Sequence, residues 1–185
     1  PEKVKNIYRG VLHSDLPEEV DVWVEKFDSI AVNARAQITR ERIVTDTHLG
    51  TDLGDVEIRG TVTMGADQKG FEGDIVTEDL DLGRLLTSEL GKADVGLRGN
   101  VGIAGRELSG SVNTRIERLG WKSYDFENIT LQASLADSLV RAEVTSADPN
   151  VMLYAEGEGN LKGGEPEYNL ILNLEKVDFG AIGIA

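Results

Sequence analysis

The chain has no cysteine, only two histidines, four prolines and 5% aromatic residues, and each scarcity closes off a class of explanation. Without cysteine there is no disulfide framework, no thiolate metal site and no thiol nucleophile. His13 and His48 lie in different segments, and neither has a second ligand-type residue at helical or hairpin spacing. Zinc or an acid–base dyad is therefore not expected. The serines lack a nucleophile elbow and a matching His–Asp set. With no acid, base, nucleophile or metal set assembled, the chain is not expected to be an enzyme, and it implies no cofactor. No run approaches the roughly 18 apolar residues of a membrane span. Positive charge is also short: 19 basic residues face 33 acidic ones, for a net charge of −14. No basic patch is available for nucleic acid or for anionic headgroups. The acidic surplus reads as a solvated surface that keeps a large sheet soluble.

What the chain has in quantity is alternation of apolar and polar residues. Val56, Ile58 and Val62 alternate with Glu57, Arg59, Thr61 and Thr63, with Gly60 on the apolar side. The same period of two runs through Ile75, Val95–Leu97–Val101, Val112–Ile116, Ile129–Leu131–Leu135, Val151–Leu153 and Leu170–Leu172. Period two describes strands with one apolar and one wet face. Connections of two to six residues, rich in Gly, Asp, Asn and Ser, make neighbours antiparallel. Strands are expected at 20–24, 30–39, 42–49, 54–64, 70–78, 92–103, 107–117, 124–135, 138–146, 150–161 and 167–177, with breaks that include Gly120 and Gly163-Gly164. The 21 glycines suit strands that bend and bulge.

Residues 1–19 form a separate lead-in, in which Val4, Ile7, Tyr8, Val11 and Leu12 have helical spacing and predict a helix near 4–12. Leu82, Leu85, Leu86 and Leu90 predict a second short helix over 82–90, capping one end of the sheet. Residues 20–185 read as one repeated antiparallel segment. Val56, Gly60, Phe71 and Ile75 align with Leu153, Gly157, Tyr168 and Leu172 at an offset of about 97 residues. The phrase Leu80-Asp81-Leu82-Gly83-Arg84-Leu85 returns as Val177-Asp178-Phe179-Gly180-Ala181-Ile182. Such a period is too long for a solenoid coil and indicates a block of four to six strands followed by a cap. The chain opens on Pro1 and not Met, and reads as a piece of a longer protein.

Smaller signals resolve without chemistry. Asp79-Leu80-Asp81-Leu82-Gly83 lacks EF-hand spacing, and its carboxylates are expected to cap the following helix. Gly157-Glu158-Gly159 and Gly163-Gly164 have neither the spacing nor the Lys-Ser/Thr ending of a phosphate loop. Asn128-Ile129-Thr130 matches a glycosylation acceptor but is short. Trp23 and Trp121 suit a carbohydrate-stacking face or the edge of a core. The alternation itself fits either the interior of a closed β-sandwich binding module, for carbohydrate or protein, or the lining of an open groove.

Leu80-Asp81-Leu82-Gly83-Arg84-Leu85-Leu86, Leu90-Gly91-Lys92-Ala93-Asp94-Val95, Gly120-Trp121-Lys122-Ser123-Tyr124-Asp125-Phe126-Glu127-Asn128-Ile129 and Ser146-Ala147-Asp148-Pro149-Asn150-Val151 resemble, in order and spacing, the C-terminal region of Bacteroidetes-type TamB proteins of the AsmA-like group. The resemblance runs over roughly residues 50–185. It implies an all-β fold: an open, curved and twisted antiparallel sheet, a β-taco or half-pipe, with one or two short capping helices. It also implies a periplasmic segment of a protein anchored in the inner membrane of a Gram-negative bacterium. Such proteins support phospholipid transport to the outer membrane and assembly of outer-membrane proteins. The implied partners are phospholipid acyl chains and an outer-membrane barrel of TamA or BamA type. The lipid-groove lining would be Val56, Ile58, Val62, Ile75, Val95, Leu97, Val101, Val112, Ile116, Ile129, Leu131, Leu135, Val151, Leu153, Leu170 and Leu172. Exposed edges would also favour an edge-strand dimer of this chain.

Overall fold

The computed structural model describes residues 25–66, 68–105, 107–161 and 167–184. The helix expected at 4–12, the strand at 20–24, Trp23, His13 and Gly163-Gly164 lie outside the described residues. The alternating segments form β1 (Ile30–Ile38), β2 (Arg42–Thr51), β3 (Gly54–Met64), β4 (Gln68–Asp81), β5 (Leu90–Ala104), β6 (Glu107–Trp121), β7 (Tyr124–Ala136), β8 (Leu139–Ala147), β9 (Val151–Asn160) and β10 (Glu167–Val177). Each strand pairs antiparallel with the next, so the ten strands make one open sheet in sequence order. Short connections between alternating segments leave the chain no crossover to make.

The connections divide between two rims. One carries the connections that follow β1, β3, β5, β7 and β9. The other, the cap rim, carries the β2–β3, β6–β7 and β8–β9 turns and the helix α1 (Leu82–Leu86) between β4 and β5. Asp81 starts α1, its carboxylate accepting from the Arg84 N–H at 2.9 Å. Thr87, left-handed at φ 54°, ends it and donates its own N–H to the Gly83 carbonyl. The helix is thus shorter than the 82–90 expected, because the ladder reclaims the chain at Leu90. Gly120 is also not a turn. It lies buried within β6, where a Cβ would meet the Gly91 Cα at 3.0 Å, and the turn falls at Lys122 and Ser123. This glycine serves close approach of two strands, which sequence cannot distinguish from a turn glycine.

Among the described residues, the buried apolar side chains are Leu53, Leu80, Ala93 and Ile182. All four sit at the cap rim, so the core is a strip along one end of the sheet. Among the described residues no second sheet covers either face, and the sheet is open where a closed sandwich was the alternative.

The internal repeat is structural. Asp178 caps its turn as Asp81 does, accepting from the Ala181 N–H at 2.9 Å, 97 residues on. The Asp81 N–H donates to the Leu53 carbonyl, and Asp178 to that of Asn150, at the same offset. The Leu53 N–H is accepted by the Thr51 hydroxyl, and the Asn150 N–H by the Asp148 carboxylate. β1 through β4 therefore recur as β7 through β10, and the period is six strands, the upper end of the range expected.

Candidate functional site: the apolar face

Cross-strand partners share a face, so the registers trace rows across the whole sheet. One row runs Ala34–Thr47–Ile58–Ile75–Leu97–Thr114–Leu131–Val144–Ala155–Leu172. The rows beside it contain Val32 to Leu174, Ala36 to Leu170 and Ile38 to Tyr168. No charged residue interrupts any of these rows; the polar members are threonines, Ser146 and the Tyr168 hydroxyl.

All the sequence-expected lining residues fall on this one face. Val56, Ile58, Val62, Ile75, Val95, Leu97, Val112, Ile116, Ile129, Leu131, Leu135, Val151 and Leu153 are half-buried, shielded by one another and not by another layer. Val101 is 45% exposed, and Leu170 and Leu172 on the edge strand are 71% and 61% exposed. The residues between them point the other way and are mostly exposed.

The middle of the face is thinned by glycine. Gly60, Gly73 and Gly99 stand side by side on β3, β4 and β5. A Cβ on Gly73 would meet the Arg59 carbonyl oxygen at 2.2 Å and the Phe71 ring at 3.0 Å. The Phe71 ring lies over this glycine pair, covering backbone that no side chain shields. Tyr168, its counterpart in the second repeat, lies instead against Gly159, the residue facing it on β9.

Near the cap rim the rows shift by one residue. Asp79 and Asn128 take left-handed conformations at φ 54° and 53°. The row of Val95 and Ile116 is followed by Leu80–Ala93–Leu119–Phe126, so the bulges let the apolar side continue into the buried strip. Arg118 braces this shift by donating to the carboxylates of Asp94 at 2.8 Å and of Asp79. The Arg118 hydrogen bond holds both carboxyls below their ordinary range and raises the guanidinium above its own. Asp81 thus caps the helix as the capping reading expects, whereas Asp79 does not: it pairs with Arg118 across the sheet.

The β8–β9 turn is built on Asp148, which is fully buried. One carboxylate oxygen accepts from the Tyr124 hydroxyl at 2.6 Å and from the N–H groups of Asn150 and Val151. The other accepts from the Glu127 N–H at 2.9 Å. Burial pushes this carboxyl up, but the four donors outweigh it and the net shift is downward. Alternation alone marked the segment only as a turn; aligning Asp148 with Thr51 was the available signal that it is an anchor.

The opposite face is organised by charge. Arg35, Asp46, Arg59, Asp74 and Arg98 are successive cross-strand partners of alternating sign. Arg98 reaches Asp74 at 2.5 Å, and Arg59 reaches Asp46 at 3.5 Å. From β6 onward the same row becomes Asn113, Gln132, Glu143, Glu156 and Ile171. Glu143 and Glu156 oppose each other, and the Tyr154 hydroxyl bonds both. Its hydrogen bond to Glu156, with burial and the Glu143 charge, pushes the phenol up to about 12. An open depression of about 570 Å³ lies on this polar side, lined by Asn113, Gln132, Glu143, Glu156 and Ile171 among others. A twisted sheet is a saddle, hollow along one diagonal on each side. Hydrophobic alternation carries no sign of this hollow, which lies on the side opposite the apolar rows.

Trp121 is not a free stacking platform. It packs on Phe126 at a 6.4 Å centroid distance, with the Lys122 ammonium 4.7 Å from its ring. His48 lies on the polar face between Asn33 and Glu57. Among the described residues, no group of three or more His, Asp or Glu side chains is placed to hold a metal ion. No helix among them is long and apolar enough to cross a membrane. No family model, curated protein or solved structure matches the chain.

Proposed function

We propose that the apolar face is a path for acyl chains, and that the chain is a segment of a periplasmic scaffold of TamB or AsmA-like type. The observation that carries this reading is the uninterrupted, uncharged face running across all ten strands, with no second sheet over it among the described residues. Apolar surface left without a protein partner is costly in water. An acyl chain laid on it gains about 0.8 kcal/mol for each buried methylene. Val, Ile, Leu, Ala and Gly offer no fixed polar contact at which a tail would lodge, so the face favours sliding over capture. The charged side keeps the sheet hydrated. The role is passive and assigns no catalytic step. In the intact scaffold it would serve phospholipid movement to the outer membrane and assembly of outer-membrane proteins, with a TamA- or BamA-type barrel at the far end.

Photo-reactive residues test the face directly. Ile58, Leu97, Leu131 and Leu153 lie on the apolar side, while Arg59, Arg98, Gln132 and Tyr154 lie on the other. In cells, lipid crosslinks are expected at the first four and not the second. Equal labelling of both sets, or none in functional protein, defeats the proposal.

A further inference from the structure

The polar side of β7 through β10 repeats the framework of β1 through β4 with different side chains. Gln132, Glu143, Glu156 and Ile171 stand where the first repeat has Arg35, Asp46, Arg59 and Asp74. There Arg59 reaches Asp46 at 3.5 Å and Glu57 at 2.8 Å, and the depression at Arg35 and Asp46 measures about 120 Å³. In the second repeat both arginines are gone, and with them the long, mutually paired side chains that span the row. The hollow across β6 to β10 measures about 570 Å³, a volume typical of small-ligand sites.

The hydrogen-bonding groups around this hollow are largely unspent. Among the described residues, the side chains of Asn113, Gln132, Ser134 and Asn169 have no hydrogen-bond partner. Glu143 and Glu156 face each other across β8 and β9, and the Tyr154 hydroxyl fixes Glu156 by donating to it at 2.7 Å. Arg141, the cation among the described lining residues, is held by Glu158 at 2.8 Å. Ile171 adds an exposed apolar surface beside Glu156.

We infer that this hollow binds a neutral saccharide. Sugar hydroxyls both donate and accept; they can donate to the carboxylates and exchange bonds in either direction with the amides. Carboxylates and amides are planar, with two polar atoms side by side, so each can engage two adjacent hydroxyls. Side chains along the row are about 4.8 Å apart. That pitch is comparable to the spacing of alternate hydroxyls on a pyranose ring, so Gln132, Glu143 and Glu156 suit one ring from three strands. Ile171 then meets the C–H face of the sugar. An anion would meet the carboxylates, and a metal ion finds no group of three ligating side chains among the described residues. An organic cation would engage the two glutamates and leave the amides unspent. The hollow faces away from the acyl path, so the two readings stand or fall separately.

Titration of the full chain, isotope-labelled, with cellotriose, maltotriose or chitotriose tests this by nuclear magnetic resonance. At least one sugar is expected to move the side-chain amide signals of Asn113, Gln132 and Asn169 at millimolar concentration, and to leave the backbone amides of α1 in place. Gln132→Arg with Glu156→Arg restores the first repeat's row and fills the hollow. Binding should weaken about tenfold or more, while the thermal midpoint does not fall, because the new arginines flank Glu143. Asn113→Ala, a single exposed change on β6, should weaken binding without altering the melt. No shift with any of the three sugars overturns the inference. So does binding that these variants leave intact, or spermidine moving the same signals where the sugars do not.

Discussion

Asp148 and Gly73 show how much a single position can hold in a sheet with so little interior. Asp148 accepts four hydrogen bonds with no solvent to replace them, so Asp148→Ala orphans buried donors and is expected to cost about 1–3 kcal/mol in chemical denaturation. Asp148→Thr imports the first repeat's solution and should cost less, because a hydroxyl can still accept the Asn150 N–H. The carboxyl binds its proton more weakly in the folded chain than its ordinary value of 3.8. Its stabilisation is therefore complete above that value and is lost as pH falls through the depressed one. A urea titration across acid pH should show a shallower loss of stability in Asp148→Thr than in the parent. Gly73 makes the opposite point: it matters for what it omits. Gly73→Ala drives a methyl into the Arg59 carbonyl and should cost about 1–3 kcal/mol. Gly96→Ala, with nothing within 4 Å of the added carbon, should be harmless. Both glycines looked alike in the sequence, since what separates them is the register of a neighbouring strand.

At the scale of elements, the strands were legible because half-burial writes period two directly into the chain. The expected 30–39 and 54–64 segments became β1 and β3 within a residue. Bulges were not legible. Asp79 and Asn128 are left-handed without being glycine, and the alternation simply shifts past them. The charge ladder from Arg35 to Arg98 was equally hidden, because its members belong to five strands and only pairing aligns them. Exposed ion pairs contribute little to stability, so the ladder's work is to make correct pairing better than a slipped one. Exchanging the two as Asp74→Arg with Arg98→Asp should leave the thermal midpoint below the parent's, because Arg59 then opposes the new arginine, but above that of the single change. Asp74→Arg alone, flanked by Arg59 and Arg98, should lower it further. The helix cap is a separate unit: Asp81→Ala should cost about 1 kcal/mol and loosen α1 first, visible as faster amide exchange at Arg84.

For the molecule as a whole, an open sheet changes what a core mutation means. Leu97→Asp would unfold a sandwich, but here the new carboxylate stays in reach of water on an uncovered face. The thermal melt should survive largely intact while lipid labelling of the face falls. A melt that collapses for every such variant would show that the face is covered in solution. The six-strand repeat carries a consequence of its own. Neighbouring strands are about 4.8 Å apart, so each period lengthens the sheet by roughly 29 Å. Strand twist of about −20 to −25° per step turns the cap rim through roughly 120–150° over the same distance. Length and orientation are thus counted out together, like the thread of a screw. Removing one 97-residue period would shorten the sheet and leave the remaining cap seated as before. Removing a single hairpin between them would instead change the turn from one cap to the other by about 40–50°.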